Sequence, residues 1–255
     1  MRSSDRASEE ELPPALVTGV EWGVFLRWFS DVWHPGQHVA IIGPTGGGKT
    51  NLAVQIMALR KYVLALDAKG GDSTLLLSGY QRIPDWPPRP RYWWQRNHIR
   101  EGIAEGKPAR LIVGKVPERM DDFPALFKTL KKTMEGAFAE GGWTVYCDEL
   151  QLMADMGNLD KEVERLLIAA RDRNISVVTS YQAPAWVPTA ASRQAVWVIL
   201  YRTRDRDVVD KLARIIGRPT EEVEAALQAI PDWYVIVAGR DPFAPLVISH
   251  APRLG

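Results

Sequence analysis

Apolar and polar positions fall in blocks along the chain, and the blocks differ in period. From Val20 to Trp33 the apolar residues Val20, Val24, Phe25, Trp28 and Phe29 recur at helical spacing. Pro35-Gly36 turns the chain, and Gln37-His38-Val39-Ala40-Ile41-Ile42 is an apolar run of strand length. Helical spacing returns over Asn51 to Leu59. Tyr62-Val63-Leu64-Ala65-Leu66 is a second buried-type strand, running into Asp67-Ala68-Lys69-Gly70-Gly71-Asp72. Leu111-Ile112-Val113 predicts a further strand, at an edge of the sheet or accessory to it. A helix over Phe123 to Phe138 carries Leu126, Phe127, Leu130 and Met134 on one face. Trp143-Thr144-Val145-Tyr146-Cys147 is the next strand, and Leu159, Val163, Leu166, Leu167 and Ala170 mark an amphipathic helix. Ile175 to Ser180 and Val196 to Leu200 are strands, and Trp233 to Val237 with Leu246 to Ile248 predicts a closing antiparallel pair. The alternation predicts an α/β fold, a mostly parallel sheet flanked by helices on both faces. Residues 1–14 are polar and end in Pro13-Pro14, which predicts a disordered arm ahead of a single domain over 15–255.

Chemistry enters between the first strand and its helix. Gly43-Pro44-Thr45-Gly46-Gly47-Gly48-Lys49-Thr50 fills the pattern G-x-x-x-x-G-K-[ST] at every fixed position. Glycines let successive backbone N–H groups curl around phosphate oxygens. Lys49 brings a positive charge to the β- and γ-phosphates, Thr50 offers a hydroxyl to Mg²⁺, and Asn51 continues the binding stretch into the helix. Strand, glycine loop and helix in that order aim a helix N-terminus at an anion.

A second element lies downstream. Asp148 and Glu149 follow an apolar strand, where an aspartate holds Mg²⁺ and an adjacent glutamate polarises water for attack on a γ-phosphate. Two acids there would also suit the first turn of a helix. Gln182 ends the following strand. Its amide could report on the γ-phosphate or make loop hydrogen bonds, and spacing leaves both readings open.

The bulk composition narrows the class. The chain of 255 residues is 46% hydrophobic and 25% charged, with net charge +1, so no global basic field advertises nucleic acid. Its single cysteine, Cys147, sits in an apolar strand and reads as a buried hydrophobe, which suits a reducing, cytoplasmic setting. No secretory signal or membrane-length apolar stretch is evident, so no membrane insertion is expected.

Together these motifs resemble the FtsK/HerA superfamily of P-loop DNA-translocating ATPases. The resemblance runs over about residues 36–250. It rests on the P-loop, Leu66-Asp67-Ala68-Lys69-Gly70, Val145-Tyr146-Cys147-Asp148-Glu149 and Val177-Val178-Thr179-Ser180-Tyr181-Gln182-Ala183-Pro184. It implies a RecA-like ASCE P-loop NTPase with ATP and Mg²⁺ as ligands. It makes Lys49 and Thr50 nucleotide residues, Asp148 and Glu149 the Walker B pair, and Gln182 the sensor. Members of the superfamily assemble as rings, so a hexamer, or alternatively a pentamer, acting on double-stranded DNA is implied. A portal or channel would be the docking partner. An arginine acting on the neighbouring subunit's ATP is implied too. Arg171 and Arg173 are the candidates, with Arg202 and Arg204 behind them, although surface arginines after a helix are also ordinary solvated residues. Where members often carry Arg-Pro after the sensor, this chain has Ala183-Pro184. Its size is that of viral packaging ATPases or of small mobile-element translocases, and the host cytoplasm is the setting if it is viral.

DNA contacts are less defined. Arg82 to Arg100 interleaves five arginines with Trp86, Tyr92, Trp93 and Trp94. That mixture suits phosphate contact with stacking, and equally a proline-braced loop whose tryptophans cover a core or an interface. Lys128, Lys131 and Lys132 form the other basic cluster.

Overall fold

The computed structural model describes residues 17–90, 94–182, 189–241, 244 and 246–253. The expected arm over 1–14 lies outside the described residues, as do Arg91 to Trp93 and Ala183-Pro184. In chain order the first elements are β1 (Val17–Gly19), α1 (Trp22–Val32), β2 (His38–Ile42), α2 (Lys49–Met57), β3 (Tyr62–Asp67) and α3 (Ser73–Leu77). Next come β4 (Gln81–Ile83), α4 (His98–Ala104), β5 (Ala109–Val113), α5 (Phe123–Glu140), β6 (Thr144–Asp148), α6 (Leu150–Asp155) and α7 (Asp160–Ala169). The chain continues through β7 (Ser176–Tyr181), α8 (Thr189–Arg193), β8 (Ala195–Tyr201), α9 (Arg206–Ile216), α10 (Thr220–Ala229), β9 (Tyr234–Ala238) and β10 (Leu246–His250).

The ten strands form one sheet in the order β1-β10-β9-β8-β2-β7-β6-β3-β5-β4. Every neighbouring pair is parallel except β8 with β9 and β9 with β10. The expected antiparallel closure is therefore present, and β9 is antiparallel on both sides. Strand residues alternate between two apolar layers, as a period of two requires. Val39 and Ile41 of β2 pack with Phe25 and Phe29 of α1 and with Leu52 and Ile56 of α2. Ala40 and Ile42 face the opposite layer, with Leu130 of α5, Leu166 of α7, Leu212 of α9 and Leu227 of α10. Both faces of the sheet are buried, which is why its central strands read as unbroken apolar runs.

Two placements differ from expectation. β5 is not the edge strand, because β4 pairs outside it through Arg82↔Ile112 and Ile83↔Val113. β1 adds a parallel strand beyond β10, with Thr18 opposite Val247. Among the described residues, no helix is long and apolar enough to cross a membrane.

β2 is pinned at its amino end by a buried histidine. His38 Nε2 donates to the Leu167 carbonyl at 2.9 Å, and its Nδ1 accepts the Val177 N–H at 3.0 Å. Burial pushes the imidazole down to about 4, helped by the charge of Arg171, so it is neutral at physiological pH. β2 thus enters its loop from a fixed position between β7 and β8.

Candidate nucleotide-binding site

Ile42 ends β2 at the carboxyl edge of the sheet, and the glycine loop springs from it. The Gly43 N–H donates to the Tyr181 carbonyl of β7 at 3.2 Å. Gly48, at φ +91°, delivers the chain into α2, whose first residue is Lys49. The Lys49 ammonium folds back over the loop, donating to the carbonyls of Gly43 at 2.9 Å and Pro44 at 3.0 Å. Burial lowers its pKa, while the charges of Glu149 and Asp148 oppose that shift. The first-turn N–H groups of α2 have no intrahelical carbonyl to reach, and with this ammonium held over the loop they meet the electrostatic requirement for a phosphate chain.

On one side of the loop stand the acids. Asp148 ends β6, is 2% exposed, and accepts at Oδ1 from the Tyr146 hydroxyl at 2.8 Å and the Ser180 hydroxyl at 3.0 Å. The Tyr146 hydroxyl also meets the side chain of Thr50, so Thr50 and Asp148 share a partner. Burial raises the Asp148 carboxyl to about 6, against the pull of the Tyr146 hydrogen bond. Its Oδ2 is buried and has no hydrogen-bond partner among the described residues. A buried carboxylate oxygen left unpaired is costly, and a cation beside it would relieve that cost.

No cluster of three or more metal-ligating side chains occurs among the described residues. Mg²⁺ at a triphosphate needs no such cage, because phosphates and waters supply most of its ligands. The Thr50 hydroxyl and the orphaned Asp148 oxygen fit that demand.

Glu149 takes the left-handed conformation at φ 49° and ψ 63°, uncommon for a residue with a side chain. Its N–H donates to Ser180 Oγ at 3.3 Å, and its Oε1 accepts from Lys69 Nζ at 2.7 Å. Burial pulls the Lys69 pKa down, but the hydrogen bond it donates to Glu149 and the charges of Asp148, Glu149 and Asp72 outweigh that and raise the pKa overall. Behind this pair lies Asp67, opposite Asp148 in the β3–β6 register. Asp67 is fully buried and accepts from Arg82 at 2.9 Å and from the N–H groups of Gly70 and Asp72.

Aromatic residues close the other side. The Tyr201 hydroxyl at the end of β8 donates to the Gly48 carbonyl at 3.0 Å. A Cβ on Gly43 would lie 2.6 Å from Tyr201 Cβ, and one on Gly48 would lie 2.7 Å from Trp233 Cζ3. Both glycines are therefore demanded by close approach, and Gly48 by its left-handed backbone as well.

The remaining sequence candidates scatter. Gln182 directly follows β7 at the same edge, half-buried. The Asn51 amide donates to the Pro252 carbonyl at 2.8 Å, tying α2 to the segment after β10. Arg171 and Arg173 sit on a 3-10 turn ahead of β7, at the opposite edge of the sheet from the P-loop of their own chain. Arg173 lies over the Phe138 ring. Arg202 pairs with Asp232 at 3.8 Å, and Asp205, next to Arg204, caps α9. In the arginine-rich stretch, Arg82 serves Asp67, Arg100 pairs with Glu140, and Trp86 is buried edge-on against Trp143. Ile83 and Trp86 of that stretch are buried, whereas Arg89, Trp94 and Arg96 are exposed. Lys131 and Lys132 pair with Glu162 and Asp85.

Sequence reasoning did not single out Tyr146, Ser180, Lys69, Tyr201 or Trp233 individually. A charged residue after β3 and hydroxyls facing the acidic pair were the available signals.

A mostly parallel sheet with this loop after a central strand, acids on the next strand but one and an antiparallel closure is the RecA-like P-loop ATPase fold. The genome packaging NTPase of Sulfolobus turreted icosahedral virus 2, solved with AMP, superposes with a TM-score of 0.58 at 15% identity. It covers 87% of this chain and 100% of that one. The cytoplasmic domain of the Thermomonospora curvata type VII secretion ATPase EccC gives a TM-score of 0.55 at 15% identity. It covers 87% of this chain and 26% of that one. These structural neighbours are of FtsK/HerA type, as the motifs led one to expect. No protein-family model matches the chain, and no curated protein matches its sequence.

Proposed function

We propose that the protein hydrolyses ATP and couples hydrolysis, as a ring of copies, to movement of double-stranded DNA, with viral genome packaging as its use. One observation carries the hydrolytic part. A P-loop lysine, a buried carboxylate with an orphaned oxygen and a strained glutamate stand at one edge of one sheet. The fold neighbours solved with AMPPCP and ATP-gammaS support ATP as the nucleotide, and a genome packaging NTPase among them supports the use.

The residues divide the work. Backbone N–H groups from Gly46 to Lys49 cradle the β-phosphate, and the Lys49 ammonium leaves the loop carbonyls to bridge β- and γ-oxygens. Thr50 and Asp148 would hold Mg²⁺, which when bound neutralises charge on the phosphate oxygens. Glu149 orients a water in line with the γ-phosphorus and takes its proton as the new P–O bond forms. The bond to the bridging oxygen breaks and ADP leaves with that electron pair. To do this Glu149 must first give up Lys69. Gln182 sits at the adjacent strand end to sense the γ-phosphate. An arginine stabilises the transition state from a neighbouring copy, and Arg171 and Arg173, remote from their own P-loop, are candidates for that role in trans.

The test is the steady-state ATPase rate with and without linear double-stranded DNA. Stimulation by DNA supports the motor. Turnover indifferent to DNA, in the presence of any docking partner, would replace it with an ATP-switched assembly protein.

A further inference from the structure

The phosphates have a site, but the sequence names no residue for the base. Three strand ends on the far side of the P-loop supply one. β8 ends there with Tyr201, β9 begins there because it is antiparallel, and β10 ends there, leading to Ala251, Pro252 and Arg253. Trp233 stands in the turn entering β9, where the Tyr234 N–H donates to the Pro231 carbonyl at 3.3 Å. Its φ is +69°. In a four-residue turn that third position is where glycine is the default, and a bulky aromatic there is strained. Such strain persists only where the surroundings enforce it, and it clusters at ligand sites.

The orientation of the indole gives the strain a purpose. A Cβ on Gly48 would meet Cζ3 and Cε3 of its six-membered ring. Its face is turned to a planar cation, the Arg253 guanidinium, 3.9 Å from the ring centroid. Arg253 is held within reach because Asn51 and Gln55 of α2 both donate to the Pro252 carbonyl at 2.8 Å. Gln55 in turn accepts from Trp22 of α1 at 2.7 Å. A half-buried indole stands beside the phosphate loop and presents its face to a planar, electron-poor group.

We propose that Trp233 and Arg253 form the base-stacking site. The purine lies on the Trp233 face, with the Arg253 guanidinium moving out to cover its other side. This rests on the nucleotide reading above and adds the residues that hold the base.

Calorimetry with ATP and with inorganic tripolyphosphate, which lacks a base, separates the two. Trp233→Gly suits the positive φ and keeps the turn; Trp233→Phe keeps an aromatic face; Arg253→Ala leaves the P-loop contacts in place. The expected result is ATP affinity weaker by about tenfold or more in Trp233→Gly, from loss of aromatic stacking. A smaller loss is expected in Arg253→Ala and substantial recovery in Trp233→Phe, with tripolyphosphate binding unchanged throughout. Equal weakening of ATP and tripolyphosphate in Trp233→Gly would mean that Trp233 only braces the loop, and unchanged ATP affinity would mean that the base lies elsewhere. Either overturns the proposal. A wild-type protein that binds neither ligand would instead overturn the nucleotide reading itself.

Discussion

The two shoulders of the P-loop are built from opposite materials. Toward β6 and β3 stand Asp148, Glu149, Lys69, Asp67 and Arg82, a set of charges that neutralise one another or wait for a cation. Toward β8, β9 and β10 stand Tyr201, whose hydroxyl donates to the Gly48 carbonyl, Trp233, whose six-membered ring borders Gly48, and Arg253, whose guanidinium lies over the Trp233 ring. The same glycine loop serves both because its sides face different demands. In the proposed function one handles a triphosphate and a reacting water, where charge placement sets the rate. The other, in the base-stacking proposal, faces a flat group, where shape and stacking suffice.

The largest effect expected on the acidic shoulder is from Glu149→Gln. It keeps size and hydrogen-bonding reach but cannot accept the proton, so steady-state hydrolysis falls by about 10²- to 10⁴-fold. Calorimetric affinity for ATP stays near wild type. Loss of binding alongside the loss of rate would erase the distinction between the shoulders.

On the aromatic shoulder, Gly48→Ala forces a Cβ against Trp233 at a φ of +91°. Overpacking and the left-handed backbone together cost about 2 to 4 kcal/mol in urea unfolding. In a Trp233→Gly background only the backbone part remains, about 1 to 2 kcal/mol. Gly46→Ala, at φ +72° with nothing within 4 Å, is the control and should show no coupling to Trp233.

The floor beneath both shoulders is β2, and pH reaches it through His38. Its pKa drops on folding from 6.5 to about 4, so its stabilising share is complete above pH 6.5 and is lost as pH falls through 4. The loss approaches about 3 kcal/mol. Asp148, raised to about 6, works in the opposite sense, since protonation relieves its burial. The readout is therefore the stability difference between wild type and His38→Gln, which keeps a donor and an acceptor but does not titrate. That difference should move against wild type between pH 6.5 and 4, and a flat difference would mean that His38 is not the cause.

The smallest effect is at Lys69→Met. Its half-exposed ion pair contributes less than about 1 kcal/mol to unfolding. Freeing Glu149 should raise DNA-independent hydrolysis about two- to fivefold, the rate equivalent of such a pair. An unchanged rate would make the pair incidental.

The acidic shoulder was largely legible in the sequence, because the P-loop and the Asp148-Glu149 pair are contiguous motifs that follow apolar strands. The aromatic shoulder was not. Trp233 read as the first residue of a strand and lies in the turn before it, and what makes it matter is Gly48, far away in the chain. Lys69 meets Glu149 across 80 residues, a pairing that spacing cannot announce. β1 and β4 escaped notice because three residues are too few to display a period. Arg82, read with the arginine-rich stretch as a DNA-contact candidate, faces inward because Asp67 is buried and needs a cation.

β1 and β10 lie side by side and parallel, with Val17 opposite Leu246. Traction applied to the leading end of β1 and the trailing end of β10 would slide the strands past each other instead of peeling them apart. All the cross-strand hydrogen bonds would then bear the load together, so this margin of the sheet behaves as a shear joint rather than a zipper.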